Sequence, residues 1–216
     1  MLDFIPDWTR LLPFLVAALT LNLTPGADMT YVMARSAGQG RVAGVVSSFG
    51  ISAGSLVHSI LAVVGLSALL ASSPALFLAI QYGGAAYLIY LAWKAWRSAS
   101  QPLAMRERPR ARLLQVFLQG AWINLLNPKV ALFILAFLPQ FVDPSRGHVA
   151  EQFLFLGLLF NLGGTTVNII VAIVIGWASD LLRQSAGFAR FMGRFSAIVI
   201  LWLAVQTIFA RRALAS

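Results

Sequence analysis

The sequence predicts an all-α, polytopic membrane protein with six transmembrane helices, arranged as two inverted three-helix repeats in which helices one and four are broken. The first observation is the composition: of 216 residues, 59% are hydrophobic and 11% are charged. Soluble domains carry about 25% charged residues, so a soluble protein is excluded. The second observation is that the apolar residues form runs of about 20 residues, the length of a membrane-spanning helix. The third is that proline interrupts two of these runs.

The apolar runs define six predicted spans and two halves of the chain. The longest linker divides the chain into a first three-helix repeat over 1–97, a basic loop over 98–112 and a second three-helix repeat over 113–216. Because each repeat has an odd number of spans, the second repeat crosses the membrane in the opposite sense. The predicted spans lie near residues 11–33, 42–70, 75–96, 113–139, 150–177 and 191–210.

Lys and Arg residues are unevenly distributed between the two sides of the membrane. Cytoplasmic loops are enriched in these residues, so the richer side is predicted to be cytoplasmic and both termini periplasmic. This topology explains the net charge of +9 without a nucleic-acid partner, and the loop over 98–112 suits anionic membrane lipid. The loops after spans one, three and five carry Arg35, Arg41, Lys94, Arg97, Arg106, Arg108, Arg110, Arg112, Arg183, Arg190 and Arg194, whereas the other side carries Arg10, Arg146, Arg211 and Arg212.

Several protein classes are excluded by what the chain lacks. It contains no cysteine, which excludes disulfides and thiolate metal sites, and no cofactor or metal is expected. Asp3 and Asp7 stand where a signal peptide carries Lys or Arg, so we expect the first apolar run to be retained. No P-loop motif for nucleotide binding occurs, which favours a secondary transporter.

The first interruption is the stretch NLTPGAD at residues 22–28. Lipid offers no donor or acceptor to a backbone broken by proline, and a carboxylate at membrane depth usually faces a protein interior or a watery cavity. Asp28 is either an interfacial acid paired with Arg35 or Arg41, or a site for a proton or a substrate ammonium group; its place beside proline and glycine favours the second. The predicted site residues here are Asn22, Thr24, Pro25, Gly26 and Asp28.

The second interruption is the stretch NLLNPK at residues 124–129. Lys129 either extends to the membrane interface or meets an anionic group such as a substrate carboxylate, and an ion pair with Asp28 is left open. Two interrupted helices in comparable halves of a chain indicate the binding site of a transporter. The predicted site residues here are Asn124, Asn127, Pro128 and Lys129.

Span five carries Asn161, Thr165 and Asn168 on one helix face. Small and amide residues at this spacing commonly pack helices together, and such a stripe can also line a path. Asn161 and Thr165 are therefore included among the predicted site residues.

Span two contains GISAG at residues 50–54, which matches the G-x-S-x-G pattern of serine hydrolases. That motif requires a strand-turn-helix context, whereas here it lies in an apolar run. Gly50 and Gly54 are better explained as a close-packing G-x-x-x-G pair. The alternative function is nevertheless an intramembrane serine hydrolase that uses Ser52 or Ser55 with His58.

Several of these motifs together resemble the lysine-exporter superfamily, in particular its threonine/homoserine-efflux branch. They are LTPGAD at 23–28, the glycines of 38–54, GGAAYL at 83–88 with Trp93, and NLLNPK at 124–129 followed by Phe141 and Val142. Ala27 departs from the family, which more often has a second proline there. The resemblance implies an exporter of amino acids or close derivatives in the bacterial inner membrane, driven by the proton gradient. Its partners would be an amino-acid-like substrate and protons, and a homodimer is left open.

Overall fold

The computed structural model describes residues 4–72 and 110–177, together with isolated helical residues between 79 and 97 and at 194, 198 and 201. Within these ranges the secondary structure is helical and no strand occurs, which confirms the predicted all-α class. The helices are α1 (Trp8–Leu23), α2 (Ala27–Gln39), α3 (Arg41–Ser72), α4 (Leu113–Leu125), α5 (Pro128–Leu132) and α6 (Val149–Trp177).

Two of these helices are long and apolar enough to cross a membrane alone. They are α6 and the segment Arg41–Gly65 of α3, with 29 and 25 residues, and they correspond to the predicted spans 150–177 and 42–70. Counting each bent helix pair as one span raises the number in the described part to four. The predicted spans 75–96 and 191–210, and most of the loop over 98–112, lie outside the described residues.

The other two described spans are bent at their prolines. The helix axis bends by 49° between α1 and α2, and by 48° between α4 and the segment Pro128–Phe141. The residue before each proline, Thr24 or Asn127, has an extended backbone, as the proline ring requires of its predecessor. Beyond α5, a wide π turn and a 3₁₀ turn complete the second span.

Glycines bring α3 and α4 into close contact. A Cβ atom on Gly54 would lie 2.6 Å from the Ala121 carbonyl oxygen, and one on Gly120 would lie 2.7 Å from the Ser47 carbonyl oxygen. Side chains of ordinary size would push the helices apart at these points. The GISAG stretch is thus part of a packed helix interface, as the G-x-x-x-G interpretation predicts.

Apolar cores lie on either side of the first break. The largest joins α1, residues 130–142 and α6, and it contains the Phe133 ring stacked on Phe160 at 4.7 Å between centroids. A smaller core around Tyr31, Val32 and Ile51 joins α2, α3, α4 and α6, and a third joins α2 to α6. Because α1 belongs to the first core and α2 to the other two, polar groups at the break lie between apolar regions.

Polar contacts fasten both ends of the bundle. At one end, Arg10 pairs with Asp143 at 3.1 Å and Arg146 with Asp7 at 2.8 Å. The Ser145 hydroxyl donates to Asp143 and lowers the pKa of that carboxyl, which keeps it ionised beside Arg10. At the other end, the Gln39 amide donates to the Ala111 carbonyl at 2.6 Å and accepts from its N–H at 3.1 Å.

Candidate functional site

The Lys129 ammonium lies at two carbonyl groups of the first break. In an unbroken helix the Leu21 carbonyl would accept from the N–H of residue 25, but Pro25 has none, and the carbonyl accepts instead from the Thr24 N–H at 3.2 Å. The Lys129 ammonium donates to the Leu21 carbonyl at 3.1 Å and to the Thr24 carbonyl at 3.0 Å. A Cβ atom on Gly26 would lie 3.3 Å from the Lys129 Nζ, so glycine leaves room for the ammonium. The C-terminal end of α1, with its negative dipole, therefore holds the cation.

At the second break a side chain from the first half of the chain contacts a backbone carbonyl. Pro128 cannot donate to the Asn124 carbonyl, which accepts instead from the Asn127 N–H at 2.8 Å. The His58 Nε2 lies 3.2 Å from the same oxygen. A carbonyl only accepts, so the Nε2 of His58 carries a proton and donates it. Lys129, from the second half of the chain, thus serves the first break, and His58, from the first half, serves the second.

Asp28 lies in the first turn of α2, where the positive end of the helix dipole favours a carboxylate. It is buried, and the Asn124 side-chain amide donates to its Oδ2 at 2.9 Å. The carboxylate of one broken span is therefore held by the other broken span. Asp28 and Lys129, both within the described part, do not form an ion pair, which settles the question that the sequence left open.

A cavity of about 30 Å³ lies between the two breaks, α3 and α6. A water molecule needs about 10–15 Å³ of such space, so the cavity admits water but is too small for an amino acid. Its polar lining residues are Asn22, Thr24, Asp28, Ser52, Ser55, Asn124, Lys129, Asn161, Thr165 and Asn168, and its other lining residues are Met29, Ile51, Val130, Phe160 and Gly164.

The structure brings together most of the predicted site residues at this cavity. The exceptions are Pro25, Gly26, Asn127 and Pro128, which shape the breaks without lining the space. Among these, Asn127 caps α5 by accepting the Lys129 N–H at 3.0 Å. Ser55 is a lining residue that the sequence pointed to only for the alternative function.

The serine–histidine pair of the alternative function is not assembled. Ser52 donates to the Asn161 Oδ1 at 2.8 Å, and the Asn161 amide donates back to the Ser52 carbonyl at 2.8 Å. His58 contacts the Asn124 carbonyl, and within the described residues neither Ser52 nor Ser55 bonds to it. These two hydrogen bonds join α3 to α6 beside the cavity, so Asn161 both holds the helices together and lines the cavity.

Arg35 is a correction to the predicted topology, which counted it in a cytoplasmic loop. It lies inside α2 with 3% of its surface exposed, because the helix continues to Gln39 beyond the apolar run. Its guanidinium donates to the Gln119 side chain at 2.7 Å and to the Tyr31 hydroxyl at 3.3 Å. Sequence reasoning missed this polar cluster between α2 and α4, since Gln119 is 84 residues from Arg35 and 88 from Tyr31 in the chain.

Comparison with known proteins finds translocators, efflux proteins and a further membrane protein. A family model described as LysE type translocator matches residues 19–211. The chain is 33% identical to a homoserine/homoserine lactone efflux protein of Salmonella typhimurium, over 80% of this chain and 81% of that one. It is 30% identical to a leucine efflux protein of the same organism over 72% of each chain, and 29% identical to the membrane protein YrhP of Bacillus subtilis over 91% and 97%. No solved structure matches the chain.

Proposed function

Because the chain belongs to the family of LysE type translocators, we propose that it exports amino acids or close derivatives across the bacterial inner membrane in exchange for protons. The family membership makes it a membrane transporter and not an enzyme. The observation that carries the proposal is Asp28, a buried carboxylate at a helix break that lines a cavity between the two broken spans, α3 and α6.

The substrate class follows from what the relatives' named substrates share. Homoserine, homoserine lactone and leucine have different side chains, and the lactone has no free carboxylate. All three carry a primary ammonium group on the carbon atom beside the carbonyl carbon. Asp28 is the acid of the cavity that pairs with this ammonium, which makes it the centre of recognition.

Lys129 has a double role in this proposal. Two of its three ammonium protons go to the Leu21 and Thr24 carbonyls, which stabilises the break. The third is available to a substrate carboxylate or carbonyl oxygen. Asn22, Thr24, Asn124, Asn161 and Thr165 supply the remaining polar contacts to substrate or proton.

Proton coupling follows if the proton and the substrate ammonium compete for Asp28. A buried carboxylate left without either partner is costly. Exchange of one for the other is then the favourable cycle, so inward movement of a proton is tied to outward movement of substrate.

The two broken spans support an inverted repeat as the frame of this cycle. The bends of 49° and 48° lie at prolines in comparable positions of the two halves, as a pseudo-two-fold axis in the membrane plane predicts. We take residues 1–97 and 113–216 as the repeats, joined by a cytoplasmic loop over 98–112 that contacts anionic lipid.

Labelling of introduced cysteines tests the proposed orientation in this cysteine-free chain. Ser145 and Arg110 are exposed and lie near opposite ends of the bundle. An impermeant maleimide should label Ser145→Cys in intact cells and should label Arg110→Cys only after the cells are opened. The reverse pattern would place both termini in the cytoplasm and refute the orientation.

Transport itself is tested with purified protein in proteoliposomes. Vesicles loaded with unlabelled homoserine, leucine or another amino acid should take up the same radiolabelled compound by exchange, at a rate well above that of protein-free vesicles. An acidic exterior should drive export of at least one compound against its gradient. Absence of exchange across a full panel of amino acids, in folded protein, would contradict the proposed function.

A further inference from the structure

Three oxygen atoms at the cavity have no hydrogen-bond partner within the described residues. They are the Asp28 Oδ1, the Asn124 Oδ1 and the Ser55 Oγ. The three residues expose 8%, 1% and 5% of their surface, and all of them line the cavity. Acceptors this deeply buried normally find a donor, so their convergence on one small space points to a ligand that brings donors.

The orientation of these oxygens is set by the surrounding contacts. The Asn124 amide turns its Nδ2 towards the Asp28 Oδ2 at 2.9 Å, because a carboxylate accepts only from the nitrogen side of an amide. The amide oxygen therefore faces elsewhere, near the Gly54 backbone, where a Cβ atom on Gly54 would meet it at 3.2 Å. Ser55 follows Gly54 on the same helix and adds its hydroxyl. One charge and three acceptors are thus collected from α2, α3 and α4.

We propose that Asp28, Asn124 and Ser55 form a subsite for a primary ammonium group, and that the three acceptors together select against N-methylated amines. The primary ammonium group of a substrate carries a positive charge and three N–H donors. These match the three acceptors of the protein, which are one carboxylate oxygen, one amide oxygen and one hydroxyl. Lys129 does not compete for this place, because its own ammonium is held at the Leu21 and Thr24 carbonyls. The inference rests on the proposed export of amino acids and adds to it which chemical group is selected and by which residues.

The selectivity has a physical cause. Each methyl group on the ammonium nitrogen removes one donor, leaves one buried oxygen unpaired and adds volume where the cavity holds about 30 Å³. A site built to hydrogen-bond a group rejects an analogue that lacks the donor more strongly than an apolar pocket rejects an extra methyl. Affinity should therefore fall with each methyl added, although the charge is unchanged in the series.

The experiment compares an amino acid with its N-methyl derivative as competitors of labelled exchange in proteoliposomes. In the wild type the N-methyl compound should compete about 10-fold more weakly, the effect of one lost buried hydrogen bond. In Ser55→Ala, which removes one acceptor and opens space, the ratio should fall to about 3-fold or less. The matched control is Ser59→Ala on the same helix, since the Ser59 hydroxyl bonds to the Ser55 carbonyl and lies outside the cavity lining; its ratio should equal that of the wild type.

A second measurement does not depend on amino-acid transport. Methylammonium chloride should raise the melting temperature of the detergent-solubilised wild type by about 2 °C or more relative to tetramethylammonium chloride at the same concentration, and Ser55→Ala should lose most of this difference. If methylammonium and tetramethylammonium chloride change the melting temperature of the wild type equally, the subsite is refuted. If sodium chloride raises the melting temperature as much as methylammonium chloride does, the site binds alkali cations and the proposal is also refuted. If the salts differ as expected but no amino acid is exchanged, the subsite stands and the proposed function fails.

Discussion

We expect Asp28→Asn to abolish export against a gradient in vesicles with an imposed pH difference, with accumulation reduced at least 10-fold relative to the wild type. Asparagine has the size of aspartate and can still accept from the Asn124 amide, so the fold is retained. It cannot bind and release a proton, and it carries no charge for a substrate ammonium. Downhill exchange should survive in part, because the cavity and the other polar groups remain.

The control for this substitution is Asp7→Asn, which has the same chemistry at an exposed position. Asp7 pairs with Arg146 and exposes 57% of its side chain, and exposed ion pairs contribute about 0–1 kcal/mol. Its export should match that of the wild type. Wild-type accumulation by Asp28→Asn would show that another group couples the proton.

Lys129→Met should lower both thermal stability and transport, the latter at least 10-fold. The change removes the ammonium donor from the Leu21 and Thr24 carbonyls. The Leu21 carbonyl keeps the Thr24 N–H, whereas the Thr24 carbonyl is left without a partner among the described residues, and an unsatisfied buried polar group costs about 1–3 kcal/mol. Adding Pro25→Ala restores an N–H that can reach the Leu21 carbonyl along the helix. The double variant should therefore regain about 1 kcal/mol of stability without regaining transport, because the break is lost. Pro25→Ala alone should reduce transport while leaving expression largely intact.

The melting temperatures of the single and double variants in detergent measure this coupling as a double-mutant cycle. Pro13→Ala serves as the control partner, since Pro13 lies in the same helix α1 at an exposed position away from Lys129; its effect should simply add to that of Lys129→Met. Strict additivity for Pro25→Ala as well would mean that Lys129 does not serve the carbonyl that the proline frees.

The spans and their breaks could be predicted because they depend on local properties of the chain. A run of apolar residues is long enough to cross a membrane or it is not, and a proline frees the carbonyl four residues before it wherever it stands in a helix. The sequence therefore indicates that the Leu21 and Asn124 carbonyls lose their usual helical donors. It does not indicate that Lys129 and His58 contact them, because these contacts join residues 108 and 66 positions apart.

The positions of Arg35 and Ser55 also depend on contacts between helices. The apolar run ends near Met33, so hydropathy alone predicts that Arg35 lies in a loop, whereas its guanidinium is buried because it bonds to Gln119 and Tyr31. The sequence indicated Ser55 only through its spacing from a histidine, whereas its place at the cavity follows from the close approach of α3 to α4 at Gly54. Residues within each break were predicted from their neighbours in sequence, and Asn161 and Thr165 from the spacing of polar residues along one helix, whereas contacts between helices could not be predicted in this way.

The contacts of Lys129 and His58 with backbone carbonyls at the two breaks connect the two halves of the bundle. Separating the halves removes the Lys129 ammonium from the Leu21 carbonyl and the His58 imidazole from the Asn124 carbonyl in a single movement, and it leaves the Lys129 ammonium in an apolar region. We therefore expect partly separated arrangements to be sparsely populated and the bundle to change state cooperatively. Asn124 connects the two sites, because its side-chain amide contacts Asp28 and its carbonyl contacts His58. Binding of a ligand at Asp28 and formation of the His58 contact are therefore expected to be coupled by one free energy that acts equally in both directions.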